Sequence, residues 1–207
     1  MKNKINQILK KNFFAHHSTI VAPSLIGCRL VRFNNNKAIL KGIIVETEAY
    51  SQEDEACHGF NKRTNSNEVL FGKPGNYYVY KSYGIHHCLN VVTHKNNFAS
   101  GVLIRSVFIK NEDERVSSGP GLITKKFLIN KTFNGLKSYD NAYLKILKRD
   151  IKISKGDLLQ TTRIGISKAK DLKWRWYLKS SRSISKREKG DKNPKKFFLD
   201  QLEINPQ

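Results

Sequence analysis

The run Ile43-Ile44-Val45 reads as a buried strand, and it continues without a break into Glu46-Thr47-Glu48-Ala49-Tyr50. Carboxylates at the end of a buried strand are costly unless something partners them. On a strand Glu46 and Glu48 share one face, and Thr47 points to the other. By itself the pair reads as ordinary strand-edge acids; held in a site, such a carboxylate is a candidate general base. A second apolar run, Val102-Leu103-Ile104, ends in Arg105. A buried arginine needs an acid or a phosphate, and Glu48 is a candidate partner.

The other constraining feature lies downstream. Behind the turn Pro74-Gly75, four tyrosines (Tyr77, Tyr78, Tyr80 and Tyr83) fall within seven residues. Clustered rings are usually core packing. Tyr83 precedes Gly84 at the expected tip of a hairpin, where a tyrosine is either half-buried or an exposed wedge. Asn90 ends the following strand, a place where backbone groups usually satisfy an amide.

Composition narrows the class. The chain has 207 residues, enough for a real core in one domain. Its formal net charge of +21 exceeds what solubility requires and points to a polyanion, either nucleic acid or an anionic surface, unless it reflects a lysine-rich proteome. Three cysteines with no CxxC pair argue against a disulfide framework and for a reducing compartment, so a cytoplasmic protein is expected. No secretory signal is apparent, and no run approaches the ~20 apolar residues of a membrane helix. His86, His87 and Cys88, with Cys57 and His58, invite a metal reading. Neighbouring strand residues face opposite ways and no zinc spacing is present, so no metal site is expected.

Periodicity and turn residues predict helices over Asn3 to Phe14 and over Val21 to Leu30, the second opened by Pro23. A hairpin is expected from Leu30 to Phe33 and Ala38 to Tyr50 around residues 34–37. A loop with a short helical piece near Glu53 to His58 follows. Strands are expected over Tyr77 to Tyr83, Ile85 to Val92, Ala99 to Lys110 and near Tyr143 to Leu147. A strand pair is expected over Asp157 to Ile166, and a helix over Leu122 to Ile129. Residues Lys168 to Lys196 are dominated by Lys, Arg and Ser with Trp174, Trp176 and Tyr177 among them, a nucleic-acid signal. From residue 181 to 207 this reads as a mobile basic tail, and a solvated tail touching nothing is the plainer alternative.

Several motifs in order resemble the alkyladenine (3-methyladenine) DNA glycosylase family of base-excision repair. They are Val45-Glu-Thr-Glu-Ala-Tyr50, Glu53-Asp-Glu-Ala-Cys-His58, Lys73-Pro-Gly75, Tyr78-Val-Tyr80 with Tyr83-Gly84, Leu89-Asn90 and Val102-Leu-Ile-Arg105. Weaker likeness runs from about Phe14 to Tyr177. The resemblance implies a mixed α/β (α+β) fold, one domain over 1–207. It would have a curved, mostly antiparallel sheet, surrounding helices and a protruding β-hairpin. It implies excision of alkylated or deaminated purines, flipped out of duplex DNA, with water as nucleophile. The enzyme would be a monofunctional monomer without cofactor or metal, acting away from membranes and associated with the nucleoid if bacterial. Glu48 would activate the water and Arg105 would stand beside it. The backbone carbonyl of Ile166, in Arg163-Ile-Gly-Ile166, would help hold it. Tyr50, His58 and Tyr80 would form the base pocket, and Asn90 would crowd the 2-amino group of guanine. Tyr83 would fill the gap in the duplex. Glu46 matches a non-catalytic position.

The chain departs from the family pattern in three places. Tyr50 to His58 is one residue shorter. Arg63-Thr-Asn-Ser-Asn67 stands where Arg-Thr-Pro-Arg-Asn is common, and Gly119-Pro-Gly-Leu122 where Gly-Pro-Gly-Lys is. The last two remove basic groups near phosphates. A non-catalytic nucleic-acid-binding protein of the same fold is the alternative. If the charge serves DNA, duplex affinity should fall steeply as salt rises from about 50 to 200 mM, because phosphate contacts release counterions. Fluorescence anisotropy would measure this, and a flat response would detach the charge from DNA.

Overall fold

The computed structural model describes residues 7–194. Its spine is the strand that the apolar run predicts: β2, Lys37–Ser51, is buried on both faces from Gly42 to Ala49. It forms a hairpin with β1, Arg29–Asn34, and β1 pairs onward with β6, Leu144–Leu147. Along its other edge β2 pairs with β5, Ser100–Phe108. Beyond β5 lie β4, His86–Val92, and β3, Tyr77–Ser82, in the order β3-β4-β5-β2-β1-β6. Where β1 leaves β2, β8 (Arg175–Leu178) takes over that edge opposite Glu46 to Glu48, and β7 (Leu158–Thr161) pairs with β8. The eight strands make one antiparallel sheet, as the α+β expectation holds.

Helix α2, Ser18–Leu25, packs on β2 and β5; α3, Pro120–Lys126, packs on β4 and β5. The first helix, α1, is a single turn, Lys11–Phe14. Phe14, Leu25, Leu30, Ile44, Ile104, Ile123, Phe127 and Tyr177 are fully buried in one core. A smaller cluster of Cys57, Leu70, Phe71, Tyr78, Val92 and Ala99 lies against Tyr50 and Tyr80. Among the described residues no helix is long and apolar enough to cross a membrane.

Several expectations are corrected. Of the predicted first helix only α1 is α-helical within the described residues: Ile8 bridges Leu147, and the Leu9 N–H donates to the Ile146 carbonyl (2.9 Å). The open edge of β6 offers backbone partners that a helix there would forgo. The second helix begins three residues early, capped by His17, and ends at Leu25, so Pro23 lies in its last turns and not its first. Leu30 belongs to β1, because Gly27, at φ +87°, turns the chain into the hairpin. Glu53 to His58 forms turns without a helix. The Asp54 carboxylate accepts from the Ala56 N–H (3.0 Å), a local bond that competes with helix. The partner of β7 is β8, not the segment 162–166. The stretch 181–194 of the expected tail is folded onto the protein, with Ser181, Ser183 and Ile184 buried; the remainder lies outside the described residues.

Ile104 faces away from the Glu48 side of the sheet and has no exposed surface. Ile104→Ala should cost ~2–5 kcal/mol in urea unfolding, the range for a buried large-to-small change. A protein of unchanged stability would contradict this packing.

Candidate active site

Two irregularities in the β2–β5 ladder shape the site. Ile44 pairs with Val107 and Glu46 with Ser106, which leaves Val45 as an extra residue. Thr47 then pairs with Ile104, which leaves Arg105 extra on β5. Such bulges re-aim side chains. Thr47 Oγ1 donates to the Ala22 carbonyl of α2 (2.9 Å), while Glu46 and Glu48 point to the other face, as strand alternation predicts.

Glu48 has no exposed surface. Its Oε2 accepts from Arg105 Nη1 (3.0 Å) and from the Tyr50 hydroxyl (2.9 Å), and its Oε1 from the Ile164 N–H (2.8 Å). The expected Glu48–Arg105 pairing is therefore present. Burial lowers the Arg105 pKa, but Glu48 and Glu46 more than reverse this, so Arg105 ends above the usual value. Burial first, then Glu48, pushes the Tyr50 hydroxyl well up, which keeps it a protonated donor.

The groups that satisfy Glu48 also line a cavity of about 470 Å³, a size typical of small-ligand pockets. Tyr50, His58, Tyr78, Tyr80, Asn90 and Arg105 line it, together with Ile164 to Ile166 of the loop after β7 and the exposed Tyr83. The rings of His58 and Tyr80 meet edge to face at 4.5 Å, and Tyr78 and Tyr80 lie 5.5 Å apart. His58 Nδ1 and the Tyr78 hydroxyl are hydrogen-bonded at 3.0 Å, and burial lowers the His58 pKa. Asn90 Nδ2 donates to the Tyr78 carbonyl (3.1 Å), which fixes the amide. Every residue expected of the site, Glu48, Tyr50, His58, Tyr80, Tyr83, Asn90, Arg105 and Ile166, lies at this cavity or directly behind its wall.

Three features were not foreseen. The Ile164 N–H reaches Glu48. Arg163 pairs with Asp54, both side chains buried, and stacks its guanidinium 4.7 Å from the Tyr50 ring. Its Nη1 also donates to the Ala49 carbonyl (3.0 Å). Tyr78, read only as part of a motif, shapes the pocket with His58. No spacing links residues 54 and 163, so only the loop after β7 could reveal them. Burial pushes the Cys57 thiol up to about 11 and raises Cys88 as well, so neither is a ready thiolate. Among the described residues no group of three His, Cys, Asp or Glu side chains is placed to hold a metal.

The family model for "Methylpurine-DNA glycosylase" matches residues 12–182. The chain belongs to the methylpurine-DNA glycosylase family. Similar proteins named "Putative 3-methyladenine DNA glycosylase" include one from Carboxydothermus hydrogenoformans, 40% identical over 87% of this chain and 100% of its own. One from Trichodesmium erythraeum is 38% identical over 87% and 98%, and one from Ehrlichia ruminantium 42% over 86% and 92%. This glycosylase family acts in DNA repair, and DNA is the substrate.

The rim of the glycosylase cavity is a strained turn. Tyr83 has φ +49° and Gly84 φ +67°, with the Ile85 N–H donating to the Ser82 carbonyl (3.0 Å); Ser82 pairs with His86, so residues 83–85 form a three-residue hairpin loop. Tyr83 is 84% exposed, so its side chain gains little from packing to offset the left-handed backbone. Tyr83→Asn, which tolerates that conformation, should leave the urea midpoint unchanged or raise stability by up to ~1 kcal/mol. A clear loss would show that Tyr83 serves the fold.

Proposed function

We propose that this glycosylase hydrolyses the N-glycosidic bond of alkylated or deaminated purines by directing a water onto the sugar carbon, with Glu48 as general base. One observation carries this reading. Glu48 accepts three hydrogen bonds, whereas a carboxylate offers about four acceptor sites. Among the described residues its Oε1 takes only the Ile164 N–H, which leaves acceptor capacity for a water. A water there gives its proton to Glu48, and the Ile166 carbonyl orients it. Arg105 balances the carboxylate before the proton arrives.

The base enters from a flipped nucleotide, because a target inside the duplex stack cannot reach a buried carboxylate. Tyr83, on its exposed turn, takes the vacated place in the stack. Electron-poor or cationic purines are held against the faces of Tyr50 and Tyr80, which favour such rings over normal bases. The fixed amide of Asn90 takes up the space that a guanine 2-amino group would need, so it penalises the normal base without contributing to damaged ones. Water, not an amine, is the nucleophile in this scheme, so no Schiff base forms. A monomer suffices for this scheme, since residues of one chain line the cavity.

The test is Glu48→Gln, which keeps the size and accepts hydrogen bonds but cannot serve as a base. Single-turnover release from duplexes carrying hypoxanthine or ethenoadenine should fall ~10²-fold or more, the usual scale of general-base catalysis, while lesion binding persists. Wild-type rates in the variant would overturn the assignment. Borohydride trapping of an enzyme–DNA adduct would replace water with an amine such as Lys81 at the rim. No release by the wild type would leave a DNA-binding protein only.

A further inference from the structure

Beside Glu48, on the same face of β2, lies a second carboxylate that the reaction does not use. Glu46 has no exposed surface. Its Oε2 accepts from Ser106 Oγ (2.7 Å) and the Ser185 N–H (2.8 Å); its Oε1 accepts from Ser185 Oγ (2.9 Å) and Arg175 Nη1 (2.8 Å). Four donors fill the acceptor capacity of a carboxylate. Arg105 stands between the two acids. Its Nη1 bonds Glu48 at 3.0 Å, whereas its Nε stays 3.6 Å from Glu46 Oε1 and makes no hydrogen bond among the described residues. Arg105 Nη2 reaches Ser185 Oγ at 3.4 Å.

We propose that Ser185 is a positioning residue for this reaction: by completing the donor set of Glu46, it leaves Arg105 turned toward Glu48. Two buried carboxylates compete for one guanidinium, and the one already supplied with donors pulls it less. The inference rests on Glu48 being the general base. Ser185 sits on the segment after β8, which is held in place independently. Arg175 Nη1 donates to the Lys186 carbonyl (2.7 Å), Arg187 Nη2 to the Lys179 carbonyl (3.0 Å), and the Tyr177 hydroxyl to Asp191 (2.7 Å). Without the Ser185 hydroxyl, Glu46 Oε1 is short of a donor, and the nearest unused N–H is Arg105 Nε. A buried acceptor left unmet is costly, so the guanidinium shifts toward Glu46 and away from Glu48. Glu48 then faces Tyr50, Tyr80 and Cys88, with Arg163 as the nearby remaining cation, and its negative charge is less well balanced.

The experiment is the pH dependence of single-turnover excision by wild type, Ser185→Ala and Ser185→Thr. In Ser185→Ala the acid limb should move up by about one pH unit, the low end of what a neighbouring charge does to a carboxylate. Rates on that limb should fall about tenfold, the same shift read as rate. The plateau at higher pH and the affinity for lesion DNA should match wild type, and Ser185→Thr should restore the limb. A drop that is equal at every pH, or no change, would overturn the proposal, because a merely structural serine lowers the plateau. If Ser185→Ala does not fold, Ser106→Ala removes another hydroxyl donor of Glu46; it should move the limb the same way, and an unmoved limb there overturns the proposal too. Glu48→Gln separates the two ideas. If that variant keeps wild-type rates, the function reading fails; if it is inactive while the Ser185→Ala limb stays put, only the positioning role fails.

Discussion

Three buried acids and three buried arginines hold this protein to its site. Glu48 pairs with Arg105, Glu46 with Arg175 and Asp54 with Arg163, and each side chain is almost wholly removed from water. Charges in such a place cost several kcal/mol each unless their partners and remaining hydrogen bonds are all supplied. Here the three carboxylates are supplied mainly by segments far along the chain: Arg105 from β5, Ile164 from the loop after β7, Arg175 from β8, Ser185 from the segment beyond. The carboxylates of β2 therefore organise the second half of the chain around themselves. Losing one partner strands a charge, so the array binds those segments more specifically than apolar contacts would.

The array also explains why the sheet is irregular where it is. A regular ladder alternates side chains strictly between faces, and Glu46, Glu48, Arg105 and Ser106 could not then all converge. The extra residues at Val45 and Arg105 break the alternation and let neighbours on β5 serve neighbouring acids on β2. The cost in ladder hydrogen bonds falls in the middle of the sheet, where β8 and α2 cover the neighbourhood. A similar trade appears at the cavity rim, where Tyr83 keeps a left-handed backbone and an exposed ring. These two departures from local rules sit at the cavity, as expected where function competes with folding.

Much of this was legible beforehand. The β1–β2 hairpin, β3 to β5 and the tip at Tyr83-Gly84 follow from alternation and turn residues acting over a few positions. The family motifs placed Glu48, Tyr50, His58, Tyr80, Asn90 and Arg105, and all of them meet at one cavity. The basic stretch after Lys168 misled in one respect. Its composition reads as a nucleic-acid signal, yet Arg175, Trp176, Tyr177 and Leu178 form a buried strand. Arginine in a basic run looks the same whether it faces water or a buried acid, and only the position of Glu46 distinguishes them.

What the sequence determined alone was therefore local: which runs are strands, where they turn, and which strand carries acids that demand partners. Tertiary structure decided who those partners are. Asp54 meets Arg163 across 109 positions and Glu46 meets Arg175 across 129, separations at which no periodicity or spacing carries information. The same holds for the N-terminal segment, whose helical pattern yields to the open edge of β6, and for Pro23, whose place in α2 follows from packing on β2 and β5. Short-range preferences differ by fractions of a kcal/mol per residue, whereas an unpaired buried charge or backbone group costs several, so the long-range demand prevails wherever the two conflict.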